Sequence, residues 1–146
     1  MKITLMPPTM KVKLMDGATL PHRSHADDAG LDLYARNDAM IFPGEGVAFD
    51  TGVCIELPPG TFGKIESRSG LNVKHGIVSC GGIIDQGYTG SIVVKLYNLS
   101  GRHYFIKAGD RIAQLIIQEY VHVDLEEVDE LTDTDRGESG IGSTGR

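Results

Sequence analysis

Asp85 stands in the run Gly81-Gly82-Ile83-Ile84-Asp85-Gln86-Gly87-Tyr88-Thr89-Gly90 and is a candidate general base. Apolar Ile83 and Ile84 predict a carboxylate at the end of a partly buried strand, and apolar surroundings make a carboxylate a better proton acceptor. The glycines around it let a flat ligand come close to the backbone, and Tyr88 offers a ring face for a sugar or a base. The same run also reads as a β-hairpin whose Asp and Gly only satisfy turn geometry. Groups suited to a phosphate recur elsewhere. Ser67-Arg68-Ser69-Gly70 follows a strand and combines an arginine fork, a hydroxyl and backbone donors, the makings of an anion nest or of a polar turn. The C-terminal stretch from Arg136 through Gly142, Ser143 and Thr144 to Arg146 has little that is apolar. It reads as a plain solvated tail or as a lid that orders over a polyphosphate.

Two further polar residues lie on strand patterns. Asp32, in Asp28-Ala29-Gly30-Leu31-Asp32-Leu33, points away from Leu31 and Leu33; it is a surface acid or a carboxylate that helps organise a hydrated metal ion. In Gly109-Asp110-Arg111-Ile112-Ala113-Gln114-Leu115, Gln114 faces away from Ala113 and Leu115 and reads as a buried amide near a ligand, metal-bound water or another chain. Asp110 and Arg111 read as a turn-closing ion pair.

The elements that must position these groups are almost wholly β. Strands are predicted at Lys11–Leu14, Leu31–Ala35, Val47–Phe49 leading through Thr51-Gly52 into Val53–Leu57, Phe62–Glu66, Ser91–Tyr97 and Ile112–Ile117. They are short, rich in Val, Ile and aromatics, and separated by turn signals such as Pro43-Gly44, Pro58-Pro59-Gly60 and Lys107-Ala108-Gly109-Asp110. One short helix is allowed after Ser69, or near Asp124–Leu131. Many short strands with frequent turns imply a sandwich, jelly roll or barrel. The 146 residues make one domain with a real core, and the 19 glycines agree with many tight turns. A composition shift near Thr132 divides a domain at 1–131 from a flexible arm at 132–146.

Charge and cysteine content exclude several classes. The net charge of -6 argues against a general nucleic-acid or anionic-membrane surface. Cys54 and Cys80 lack the number and spacing of a disulfide framework or zinc site and read as two buried, reduced thiols. No apolar run reaches a membrane span, and Met1–Leu5 carries no signal-peptide core, so a cytoplasmic protein is expected, with nucleus or organelle as alternatives.

Taken together, Ala29–Leu33, Arg68-Ser69-Gly70, Gly82–Gly90, Gly109–Leu115 and Arg136–Gly145 resemble, in order and spacing, the five motifs of the trimeric dUTP pyrophosphatases (dUTPases). The resemblance covers nearly the whole chain. It implies a distorted jelly-roll subunit, a homotrimer whose sites are each built from all three chains, and hydrolysis of dUTP to dUMP and pyrophosphate with Mg²⁺. By the same resemblance Asp85 activates the water that attacks the α-phosphorus, and Tyr88 packs on deoxyribose and leaves no room for a 2′-hydroxyl. Gly82, Ile84 and Val93 match the hairpin that holds uracil, Gly82 and Val93 through their backbones. Arg68, Ser69 and Gly70 match a phosphate element lent by a neighbouring subunit. Asp32 and Gln114 match polar groups near the phosphates, where Gln114 contacts substrate, and near hydrated Mg²⁺, which they meet through water with no direct protein ligand. Arg136, Gly142, Ser143 and Thr144 match the mobile arm over the γ-phosphate. Ile141 departs from the pattern, because the family usually has there an aromatic ring that stacks on uracil. The same fold in dCTP deaminases would need a glutamate base instead, and a nucleotide-sensing interaction protein would not need the full catalytic set.

Overall fold

Alternation in sequence becomes alternation in burial. Along Ser91–Asn98, Ile92, Val94 and Leu96 are buried while Val93 and Lys95 face outward, the period of two that a strand with one wet face must have. The computed structural model describes residues 6–145. In chain order these form β1 (Lys11–Leu14), β2 (Leu31–Tyr34), β3 (Ala39–Ile41), β4 (Gly46–Glu56), β5 (Thr61–Glu66), α1 (Ser69–His75), β6 (Ile77–Ser79), β7 (Ile83–Ile84), β8 (Ser91–Asn98), β9 (Tyr104–Ile106) and β10 (Arg111–Glu119).

Two four-stranded sheets, ordered β1-β4-β8-β6 and β2-β10-β5-β7, and the small pair β3-β9 make up the jelly roll. Every strand pairing is antiparallel. A single core draws on both large sheets, with Val53, Ile55, Val94 and Leu96 from one and Leu33, Ile65, Ala113 and Leu115 from the other. Buried Asn98 serves this core as a polar staple. Its Nδ2 donates to the carbonyls of Ile41 at 2.9 Å and Arg102 at 2.7 Å, and its Oδ1 accepts from the N–H and hydroxyl of Ser100.

The stretch through Thr51-Gly52 is one strand rather than two. Its register against β8 shifts between Asp50 and Cys54, and Gly52 takes a φ of +69° in the irregularity, a conformation that favours glycine. Thr51 Oγ1 donates to the Ile92 carbonyl at 2.7 Å. The helix after Ser69 forms and stops at Gly76, whose φ is +65° and whose N–H caps the last turn on the Asn72 and Leu71 carbonyls. No helix forms at 124–131. Strands β3, β6 and β9 have three residues each, too few for a period to stand out. Beyond β10, residues 120–145 contain no helix or strand, and all are exposed. Among the described residues no helix is long and apolar enough to cross a membrane.

Candidate active site

Register across β2, β10 and β5 builds the first half of the site. Gln114 sits opposite Asp32 on one side and Glu66 on the other, so three polar side chains line up away from the core. Asp32 is largely enclosed, its side chain 13% exposed. Ser24 Oγ donates to its Oδ2 at 3.1 Å. Arg68 Nε lies 3.4 Å from its Oδ1, and Arg111 Nη1 3.7 Å from its Oδ2. Arg68 also donates to the Arg111 carbonyl at 3.3 Å. Gln114 Nε2 donates to the Ser67 carbonyl at 3.0 Å, which fixes the amide and leaves its oxygen on the Gly30 side. The result is an open polar cavity of about 280 Å³ lined by Ser24, Gly30, Asp32, Arg68, Ser69, Gly70 and Gln114.

Gly30 is required by space alone. A Cβ there would come within 3.0 Å of Gln114 Cβ and closer still to its Oε1. Gly30→Ala is therefore expected to push the amide off Ser67 and cost about 1–3 kcal/mol, measured by denaturant unfolding. Gly70→Ala, where an added Cβ meets nothing within 4 Å, is the comparison and should stay within about 1 kcal/mol. Equal losses in the two variants would sink the argument.

The second half of the site hangs from β5. β7 pairs with β5 in the register Gly63↔Ile84 and Lys64↔Ile83, which buries Ile84 and exposes Ile83. Gly82, with φ +116°, accepts the Ile65 N–H at 2.9 Å, and an added Cβ would lie 2.8 Å from Ile65 Cβ. This position accepts only glycine. Asp85 follows β7, and the Tyr88 N–H closes the turn on its carbonyl at 3.0 Å. Gln86 Oε1 accepts the Gly60 N–H at 2.8 Å, tying the turn to the β4–β5 connection. A groove of about 500 Å³ is lined by Phe62, Ile83, Asp85, Gln86, Gly87 and Tyr120, with the Phe62 and Tyr120 rings edge to face at 6.2 Å. Tyr88 donates its hydroxyl to the Ser91 carbonyl at 2.9 Å, a bend over the chain that Gly90 permits because a Cβ there would sit 2.6 Å from the hydroxyl.

Three expectations change. Asp85 is exposed; Ile84 is buried, but the chain turns outward at the next residue, so the strand does not wall in the carboxylate. The expected hairpin is not a paired ladder: β7 belongs to the sheet with β5, while β8, which carries exposed Val93, belongs to the other. The connection from Asp85 to Gly90 thus crosses from one sheet to the other. Asp110 does not pair with Arg111. Its Oδ2 accepts the Lys107 N–H at 2.9 Å within its own turn, and Arg111 reaches Asp32 instead.

The fold brings Asp32, Arg68, Ser69, Gly70 and Gln114 together in one cavity. Asp85 lines a separate groove that shares no residue with it. Arg136, Ile141, Gly142, Ser143 and Thr144 join neither, and all are exposed. Among the described residues, the hydrogen bonds of this segment stay within it, as when Arg136 Nε donates to the Ser139 carbonyl at 3.0 Å. Arg146 lies outside the described residues. Sequence reading missed Ser24 and Arg111 as partners of Asp32; Ser24 had no signal, and Arg111 was masked by the acid beside it.

The profile of the dUTPase family matches residues 16–145. The chain is 49% identical over 138 residues to the deoxyuridine 5'-triphosphate nucleotidohydrolase of Corynebacterium glutamicum, spanning 92% of this chain and 93% of that one. It is 44% identical over 135 residues to the protein of the same name from Mus musculus, spanning 92% and 83%. Among solved structures, the dUTPase of Staphylococcus bacteriophage 80alpha with dUPNHPP superposes with a TM-score of 0.87 at 31% identity, covering 96% of this chain and 100% of the other. A mutant dUTPase of the S. aureus phage phi11, solved for its structural Mg(II) ion, superposes with a TM-score of 0.79 at 29% identity, covering 84% and 98%. Five motifs in register, a jelly roll and these likenesses lead to one assignment: the chain belongs to the dUTPase family.

Proposed function

We propose that this chain is a dUTP diphosphatase that hydrolyses dUTP to dUMP and pyrophosphate. The observation that carries the reading is the division of its matched groups into two half-sites: a donor-rich cavity around Arg68, Ser69, Gly70 and Gln114, and a separate groove bearing Asp85. Two halves that do not meet on one chain are what a site shared between subunits requires, so a homotrimer is part of the proposal. Asp85 accepts a proton from a water as that water attacks the α-phosphorus in line. The bond from the α-phosphorus to the bridging oxygen breaks, and pyrophosphate leaves. The backbones of Gly82 and Val93, with Ile84 beneath, hold the uracil edge, and Tyr88 packs on the deoxyribose. A neighbouring subunit's Arg68, Ser69 and Gly70 take the phosphates.

Residues 132–146 form the arm on a body of residues 1–131. Arg136, Gly142, Ser143 and Thr144 close over the γ-phosphate, and this arm is free to do so because no hydrogen bond holds it to its own body among the described residues. Phosphoryl transfer depends on positioning and on neutralising charge, which is the role of these groups.

The residues present fit Mg²⁺ held through water. No group of three His, Cys, Asp or Glu among the described residues could cage a metal, and Asp32 is already engaged by Ser24, Arg68 and Arg111. Gln114 Oε1 and Asp32 instead offer hard oxygens beside the phosphate donors, suited to a hydrated ion that keeps its waters. When bound, Mg²⁺ neutralises charge on the phosphates. A cytoplasmic setting belongs to the same proposal: Cys54 and Cys80 are free thiols, half-buried and exposed rather than buried as expected, and agree with a reducing compartment.

Product analysis with Mg²⁺ and each of dUTP, dTTP, dCTP and UTP tests the reading. It predicts dUMP and pyrophosphate from dUTP alone; ammonia from dCTP would overturn it in favour of a deaminase. Ile141, fully exposed on the arm, covers uracil without a π face, and stacking on aromatics is worth about 1–3 kcal/mol per base in single-strand binders. Ile141→Phe should therefore raise kcat/KM, mainly by lowering KM; no gain would refute the role given to this position.

A further inference from the structure

Asp50 lies on β4 beside the irregularity at Gly52 and opposite Val93 of β8. Its two carboxylate oxygens hold different things. Oδ1 accepts the hydroxyl of Ser91 and the N–H of Gly52, the latter at 2.9 Å. Oδ2 meets Arg36 Nη2 at 3.3 Å. Arg36 is itself enclosed, its side chain 20% exposed, and donates to the Asp16 carbonyl at 3.4 Å. On the far side, the Ser91 carbonyl accepts the Tyr88 hydroxyl at 2.9 Å. A continuous chain of contacts therefore runs from Arg36 through Asp50 and Ser91 to the Tyr88 ring.

The parts of this chain constrain one another. The Ser91 hydroxyl and then the Gly52 N–H hold the Asp50 carboxyl below the usual carboxylate range, with Arg36 adding to them, so it stays ionised at neutral pH. A charged acceptor makes shorter and stronger hydrogen bonds than a neutral one. Tyr88 is 48% exposed, so packing alone does not hold the ring. Its hydroxyl is its anchor, and the carbonyl that takes the hydroxyl belongs to the residue that Asp50 grips.

We propose that Asp50, through Ser91, is a positioning residue for Tyr88 and thereby sets how strictly the sugar is read as a deoxyribose. This rests on the reading that Tyr88 packs on the sugar. A ring allowed to swing admits a 2′-hydroxyl, so loss of Asp50 weakens rejection of ribonucleotide more than it slows the chemistry.

Steady-state kinetics on dUTP and UTP test the proposal with Asp50→Ala, Ser91→Ala and the double variant, alongside NMR of ring-labelled tyrosine. The ratio of kcat/KM for dUTP to that for UTP should fall about tenfold in each single variant, with kcat for dUTP kept within about twofold. The double variant should fall no further, because both residues act on one ring. The Tyr88 ring signals should shift in Asp50→Ala. Should that variant fail to fold, Asp50→Asn keeps one acceptor oxygen and should give a smaller fall in the ratio. Provided the wild type hydrolyses dUTP, an unchanged ratio in Asp50→Ala and Ser91→Ala overturns the proposal, even with a lowered Tm. If the wild type hydrolyses no dUTP, the functional reading fails on its own. The Tyr88 signals then decide, unmoved signals overturning the positioning and shifted ones supporting it.

Discussion

Asp85→Asn is expected to lower kcat for dUTP by about 10²–10⁴-fold, the range that a positioned general base contributes, while the variant still binds a non-hydrolysable dUTP analogue. The amide matches the carboxylate in shape but takes up no proton. The substitution leaves the local fold alone. The Asp85 side chain is exposed, and the bond that closes the turn uses its backbone carbonyl and the Tyr88 N–H. Unfolding free energy should therefore stay within about 0.5 kcal/mol of wild type. Single-turnover kinetics together with calorimetric titration of the analogue separate chemistry from binding. Retained turnover would remove Asp85 from the role of base, and lost binding with normal turnover per bound substrate would recast it as a binding group.

Removing residues 132–146 should have an effect of similar size on activity and none on the stability of the body. The segment is exposed throughout its described length, and its hydrogen bonds among the described residues are internal. Deleting it takes no apolar surface out of the core, so Tm should not move. Activity should suffer, because a charge-assisted hydrogen bond to phosphate is worth about 1.5–3 kcal/mol. At the lower end of that range, Arg136 and the hydroxyls of Ser143 and Thr144 together account for about 4–5 kcal/mol, or on the order of 10³-fold in kcat/KM. Arg136→Ala alone should lose about a third of that in free energy. Full activity after truncation would mean that the phosphates are covered by something else. A large drop in Tm would mean that the arm packs against a body.

How far the site could be read in advance varied from residue to residue. Asp32 and Gln114 were legible because their neighbours Leu33, Ala113 and Leu115 are apolar and become fully buried, so a period of two leaves only the other face for them. That Asp32 is gripped by Arg68 and Arg111 was not legible, since the contact joins β2, the β5–α1 connection and β10. Adjacency suggested an Asp110–Arg111 pair, and the turn consumed Asp110 instead. Ile83 and Ile84 pointed to a strand before Asp85, and β7 is there. A strand of two residues carries no sign of which sheet it joins, so its pairing with β5 and the outward turn of Asp85 had to come from the fold.

Alternating apolar residues and glycine at turns were enough to establish an all-β fold, and the resemblance carried by five spaced motifs pointed to a jelly roll and to the family, because each is written within a few residues of chain. Folding alone decided that the Arg68-Ser69-Gly70 turn and Asp85 lie in separate cavities of one chain, and that Tyr88 is anchored through Ser91 to Asp50. Such contacts depend on register between strands far apart in sequence. Register is chosen by the packing of the common core, and no local pattern encodes it.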